Sequence, residues 1–295
     1  MPRLAILSDT HNEFERATGP RQPTHAWFTL DRARRAIPGH PATGPLLDSL
    51  RGRVDLAVLA GDIDIGHHSI VYAEQVAEFL AVPVVLVMGN HEAYGGRDLD
   101  LLVPEMQAAA RGTAKRVNFL ENASVRFDFE GRAVHVLGCC LFTDYAVNGG
   151  GDVDLAYAMR DAAASLNDHA RIVDGGRLFT PDMARRRHAV SRAWLGDEIA
   201  SIRAGEADAT LVVVTHHAPI PDANPPEYRG GRLAPAFVSD LRPEIEAWQP
   251  DIWIWGHTHY SMDRTAGCTR LVSAQRGYVC VESGADEFVP VIVEI

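Results

Sequence analysis

The chain has 295 residues, 46% of them hydrophobic, enough for one large α/β domain or two small ones around a sizeable core. Its formal net charge of −11 repels polyanions and anionic membranes, so long nucleic acid is a poor partner for the surface as a whole. The apolar runs fall far short of the ~20 residues that a membrane-spanning helix requires.

Taken in chain order, short Val-, Ile- and Leu-rich runs alternate with helix-like segments. LAILS (4–8) ends in Asp9-Thr10-His11. No basic and apolar leader precedes it, and Cys139, Cys140, Cys268 and Cys280 lack C-x-x-C spacing, which together point to a cytoplasmic protein with reduced thiols. Residues 14–53 read as an insertion in which HAWFTLDRARRAI suits a short amphipathic helix. Seven arginines against three carboxylates give this insertion a local charge of +4. Folded over a crevice, Arg32, Arg34 and Arg35 would meet a second phosphate or a base-bearing leaving group; solvated decoration is the simpler reading. VDLAVLA (54–60) ends in Gly61-Asp62, with Asp64, His67 and His68 close behind, and 69–81 reads as a helix. VPVVLVM (82–88) ends in Gly89-Asn90-His91-Glu92, followed by a helix over 99–111.

AVHVLGCC (133–140) is the next strand. Residues 143–180, polar and broken by glycine, read as a second insertion able to cap a cleft, with solvated decoration the simpler reading. Asp144, Asn167 and Asp168 could line that cleft, a place on the surface being the simpler reading for each. Pro181 behind Thr180 opens a helix that runs to 202 and carries His188 on a solvated face. TLVVVT (210–215) ends in His216-His217, and 235–248 reads as a helix. DIWIW (251–255), its tryptophans in the core, ends in Gly256-His257-Thr258-His259. The runs at 268–275, 277–283 and 288–295 read as consecutive antiparallel strands. The alternation predicts a single α/β domain over 1–295 with largely parallel sheets, covered on both faces because the strands lack strict polar alternation.

Five strands thus end in carboxylate, imidazole or carboxamide groups. Ligands of open α/β sheets bind outside the carboxyl ends of strands, so these ends should converge on one crevice. Asp, His and Asn offer O and N donors and no thiolate, which suits two first-row ions, divalent or mixed-valence, with Mn, Fe and Zn the leading candidates. Seven such groups are too many for one tetrahedral zinc but fit two ions bridged by a carboxylate. Such a centre stays net positive, attracts phosphate, and makes a water between the ions acidic enough to become a hydroxide nucleophile near neutral pH.

The series D-x-H, G-D, G-N-H-E, a His after a strand, and G-H-x-H stands here in order as DTH, GD, GNHE, THH and GHTH. From Asp9 to His259 it resembles the calcineurin-like metallophosphoesterases. The resemblance implies a four-layer α-β-β-α sandwich of two mixed β-sheets flanked by helices, with a dinuclear metal site at the C-terminal ends of the strands. It implies that Asp9, His11 and His259 hold one metal, that Asn90, His216 and His257 hold the other, and that Asp62 bridges them. His91 would be the general acid on the leaving oxygen. His217, Asp64 and His67 are possible substrate-side groups. Two departures stand out. GDIDIG puts Ile65 where relatives resembling protein phosphatases carry an Asp that orients the catalytic His, and HHAPI replaces their HGG. Both turn the reading toward a phosphodiesterase acting on a small or nucleotide-like phosphoester. The alternatives are a phosphomonoesterase acting on a nucleotide or phosphoprotein, and a non-catalytic protein-binding scaffold with an eroded metal site, of which no erosion is visible.

Overall fold

The computed structural model describes residues 1–16, 47–114, 116–279 and 281–295. The expected helix at 25–37, with Arg32, Arg34 and Arg35, lies outside the described residues. Among those described, no helix is long and apolar enough to cross a membrane.

One sheet holds β1 (Arg3–Leu7), β2 (Leu56–Leu59), β3 (Val84–Val87) and β4 (Val117–Leu120) in parallel order, with the last strand, β13 (Val291–Glu294), antiparallel against β1. The other holds β5 (Ala123–Phe129), β6 (Arg132–Cys139), β9 (Thr210–Thr215), β10 (Ile252–Trp255), β11 (Met262–Ala266) and β12 (Thr269–Ser273). Its order is β11-β12-β10-β9-β6-β5, parallel from β12 to β6 and antiparallel at both edges. Both sheets are therefore mixed.

The strands lack alternation because each face has a cover. Leu4 and Ile6 of β1, Val58 of β2 and Val85 of β3 meet Val136 of β6, Val212 and Val214 of β9 and Ile254 of β10 in a core between the sheets. The residues in between, such as Ala5, Leu7, Leu59 and Leu86, pack outward on α2 (His67–Leu80) and α3 (Leu99–Arg111), which follow the short α1 (Asn12–Arg16). On the opposite side Leu211, Val213, Trp253 and Trp255 pack under helices α6 (Pro181–Gly205) and α7 (Arg242–Trp248). The architecture is the expected α-β-β-α sandwich. Thr180 caps α6 through its Oγ1, which accepts from Met183 N at 3.3 Å, with Pro181 in the first turn.

Several expectations need correction. Residues 143–180 contain α4 (Asp152–Ser165), α5 (Asp168–Arg171) and a hairpin of β7 (Val173–Asp174) and β8 (Arg177–Leu178). Ala162, Ile172 and Phe179 of this stretch are core residues. His188 is buried, its Nδ1 bonded to Phe142 O, rather than solvated. The 235–248 run is a short turn at 234–236 and then α7. The C-terminal strands do not form one antiparallel set: β12 pairs parallel to β10, β13 joins the other sheet, and the described residues of 277–283 form no strand.

Candidate metal centre

The parallel strands β1, β2 and β3 present their C-terminal ends side by side, and β9 and β10 do the same in the facing sheet. Each polar residue follows its strand within a few positions, so the fold delivers all of them to one edge. The chain must turn sharply there. Asp9, His11, Asp62, His257 and His259 all take positive φ, between 46° and 75°. Left-handed backbone at non-glycine residues costs of order 1 kcal/mol each and clusters at functional sites. A few fully buried aliphatic side chains, at ~1.5–3 kcal/mol each, offset that strain. Gly61 and Gly256 allow the close approach: a Cβ on Gly61 would sit 2.5 Å from His216 Nδ1, and one on Gly256 would sit 2.6 Å from Asp9 Oδ2.

The ligand candidates fall into two groups, with Asp62 part of one and close to the other. Donor atoms of Asp9, His11 and His259 lie within 4.8 Å of one another, as do those of Asp62, His216 and His257. Asn90 Oδ1 joins the second group, 3.0 Å from His216 Nε2. Asp62 reaches both, with Oδ1 3.3 Å from His216 Nε2 and Oδ2 3.8 Å from His11 Nε2.

Hydrogen bonds behind these side chains fix which atom faces inward. His216 gives its Nδ1–H to Ala60 O (2.9 Å), leaving Nε2 for the centre. His259 Nδ1 meets Glu282 Oε1 at 2.7 Å, and His11 Nδ1 meets Glu13 Oε1 at 3.3 Å. Asp168 Oδ1 accepts from Asn90 Nδ2 (2.9 Å) and from Tyr94 Oη (2.5 Å). A carboxylate only accepts, so Asp168 takes the amide NH₂ and turns Asn90 Oδ1 toward His216. Glu92 braces the loops themselves, accepting from Asp62 N, Ile63 N, Gly89 N and Ser69 Oγ at 2.7–3.0 Å.

These residues fit a cation. His11 Nε2 and His259 Nε2 point at each other from 3.0 Å, and Asp9 Oδ2 is buried without a hydrogen-bond partner. Converging lone pairs and an orphaned carboxylate oxygen are what a bound cation satisfies. Asp62 stays ionised: burial opposes its charge, but His216 and His91 hold it well below the ordinary carboxylate range. Burial lowers His216 as well, yet Asp62 pushes it up to about 9. Burial and the neighbouring His216 push His217 down to about 3, so it stays neutral.

The sequence-derived substrate-side residues are not where they were expected. His217 is buried behind the centre, its ring 4.1 Å from that of His257 and its Nδ1 bonded to Cys140 O, because the chain leaving β9 turns inward after His216. Asp64 is buried, its Oδ1 accepting from Ile65 N and lying 3.4 Å from His68 Nδ1. His67 is buried in the first turn of α2. None of the three lines the cleft over the centre. That cleft, about 910 Å³, is lined by Asp62, Asn90, His91, His257 and His259, together with Tyr94, Asn167, Asp168, Tyr228, Arg232 and Phe237. His91, 7% exposed, points Nε2 to within 3.9 Å of Asp62 Oδ2 and 3.3 Å of Tyr278 Oη. Sequence reading missed Glu13, Tyr94, Tyr278 and Glu282 and set Asn167 and Asp168 aside; their one shared signal is polarity beside an apolar run, which is common in any loop.

Residues 2–261 match the calcineurin-like phosphoesterase family. The chain belongs to that family. It is accordingly a metal-dependent phosphoester hydrolase. Among solved structures, phosphopantetheinyl hydrolase from Mycobacterium tuberculosis shares the fold of this phosphoesterase, with TM-score 0.66 over 98% of this chain and 95% of that one at 14% identity. A Staphylococcus aureus protein provisionally described as a 5′-nucleotidase aligns with TM-score 0.47 over 92% of this chain and 48% of its own, also at 14% identity. No curated protein shows significant similarity to the sequence.

Proposed function

We propose that this phosphoesterase is a dinuclear phosphodiesterase for small organic or nucleotide-like substrates. The observation that carries the reading is the place of Asp62 between two ligand groups, Asp9–His11–His259 and Asn90–His216–His257. When bound, two first-row cations there supply Lewis-acid stabilisation of a phosphoryl oxygen and a water acidic enough to attack near neutral pH. The protein's own groups do the rest. Asp9 and Asp62 hold negative charge against the cations. His91 carries a proton at Nε2 for the departing oxygen, and Tyr278 Oη lies close enough to that atom to donate to the same oxygen. The free thiols of Cys139 and Cys140 are buried, with their pKa raised well above the ordinary thiol range, which suits a reducing cytoplasm.

Charge and size favour a diester. Among the described residues, the lining carries Arg232 as its cation beyond the histidines, against Asp168, Glu227 and Glu282. A diester brings one negative charge into that cleft, a monoester up to two. The cleft, about 910 Å³, is of organic-ligand size and exceeds what a lone phosphate needs. After metal stripping and Mn²⁺ reloading, bis(p-nitrophenyl) phosphate should be hydrolysed faster than p-nitrophenyl phosphate. A faster monoester would replace this reading with a phosphomonoesterase for a nucleotide or phosphoprotein.

Asp168 gives a separate check on the Asn90 half. Asp168→Ala frees the Asn90 amide to rotate and should weaken metal binding at that half by ~10–100-fold. Titration of stripped protein with Mn²⁺ should then show one weakened site and one unchanged. Two unchanged sites would remove Asn90 from the ligand set or Asp168 from its support.

A further inference from the structure

The expected orienting carboxylate for His91 is absent from its loop, since Ile65 stands in that place and Asp64 faces Ile65 N and His68. Another element supplies one. Glu13, in the first turn of α1, is largely buried, and its Oε1 lies 2.8 Å from His91 Nδ1 and 3.3 Å from His11 Nδ1. A carboxylate only accepts, so it takes Nδ1–H from His91 and leaves Nε2 as the atom facing the cleft. The ring has little freedom otherwise: Tyr94 packs on it at 4.3 Å between centroids and His11 meets it edge-on at 4.3 Å. A half-turn of the imidazole would still fit that slot, and it would exchange Nε2 for a carbon. Glu13 at Nδ1 (2.8 Å) is the shorter of the two polar contacts that distinguish the orientations, the other being Tyr278 Oη at Nε2 (3.3 Å).

We infer that Glu13 is the positioning residue for His91, fixing its tautomer and ring orientation from the D-x-H-x-E turn after β1. The same oxygen touches His11, so one carboxylate ties the proton donor to a candidate metal ligand. This rests on His91 as proton donor to the leaving oxygen, and the test separates the two claims.

Glu13→Ala and Glu13→Gln are compared with wild type in metal-loaded protein, on an alkyl p-nitrophenyl-free diester and on bis(p-nitrophenyl) phosphate. An alkoxide leaves poorly and needs the proton; p-nitrophenolate leaves without it. Glu13→Ala should lower kcat on the alkyl diester by ~10–100-fold with little change in KM, and on the nitrophenyl diester by no more than about threefold. Glu13→Gln, which keeps an acceptor, should recover part of the loss. In a His91→Ala background Glu13→Ala should cost nothing further. Nitrogen-15 spectra of histidine-labelled, metal-stripped protein, taken above the pH at which the His91 imidazolium loses its proton, should show the neutral ring protonated at Nδ1 in wild type and a mixture of tautomers in Glu13→Ala. Equal losses on both substrates, an added loss in the His91→Ala background, or an unchanged tautomer would overturn the role of Glu13. A His91→Ala variant indifferent to the leaving group would instead overturn the reading of His91, and the role of Glu13 with it.

Discussion

Asp62→Asn is expected to purify short of two metal equivalents and to lose ~10³-fold or more in turnover, since Lewis-acid stabilisation is worth several kcal/mol. The substitution keeps the shape of the side chain and removes its charge. Asp62 is 2% exposed, its Oδ1 accepts from His91 N at 2.8 Å, and its two oxygens face His216 on one side and His11 on the other. Its donor atoms group with those of His216 and His257 on one side and with those of His11 and His91 on the other, so loss of its charge should weaken both candidate sites at once. The amide oxygen can still accept from His91 N, so the loop should survive, and an unchanged Tm of the stripped protein would separate charge from folding. Elemental analysis that finds both sites full in Asp62→Asn would contradict the bridging role.

His91→Ala should do the opposite with metal. It is expected to keep full occupancy while kcat falls by ~10²–10⁴, the usual span for general acid–base catalysis. His91 sits at the cleft lining with its Nδ1 committed to Glu13, so its outward atom is available for a departing oxygen. Burial works against its protonation, but Asp62 and then Glu13 raise its pKa above the ordinary histidine value. Donor atoms of His11, Asp62 and His91 also lie within 4.8 Å of one another, which makes metal content the deciding measurement. Loss of a metal equivalent in His91→Ala would make His91 a ligand; unchanged turnover would remove it from the mechanism.

The amino-acid sequence by itself determined an α/β domain whose polar residues gather at strand ends, while the four-layer sandwich and the division of the ligands came from the family resemblance. The first of these has a physical reason. A buried strand announces itself as a short apolar run, and the residues just beyond its end have nowhere to go but the sheet edge. Asp9, Asp62, Asn90, His216 and His257 each stand within three residues of such an end. Five parallel ends in two facing sheets then converge by topology alone.

What surrounds those ligands was decided by tertiary structure. Glu13 reaches His91 across 78 residues of sequence, Asp168 reaches Asn90 across another 78, and Tyr278 reaches His91 across 187. No local period marks a side chain whose partner is that far away. GYVCVES alternates like a strand, yet β13 takes the place beside β1, Val281 is left exposed, and Tyr278 and Glu282 turn to the centre. His217 and His188 are likewise indistinguishable in sequence from solvent-facing histidines. Their burial depends on Phe142 and Cys140, which the turn after β6 brings beneath them. Strand ends are local and legible; the carboxylates that orient the histidines are long-range contacts, visible once the two sheets are stacked.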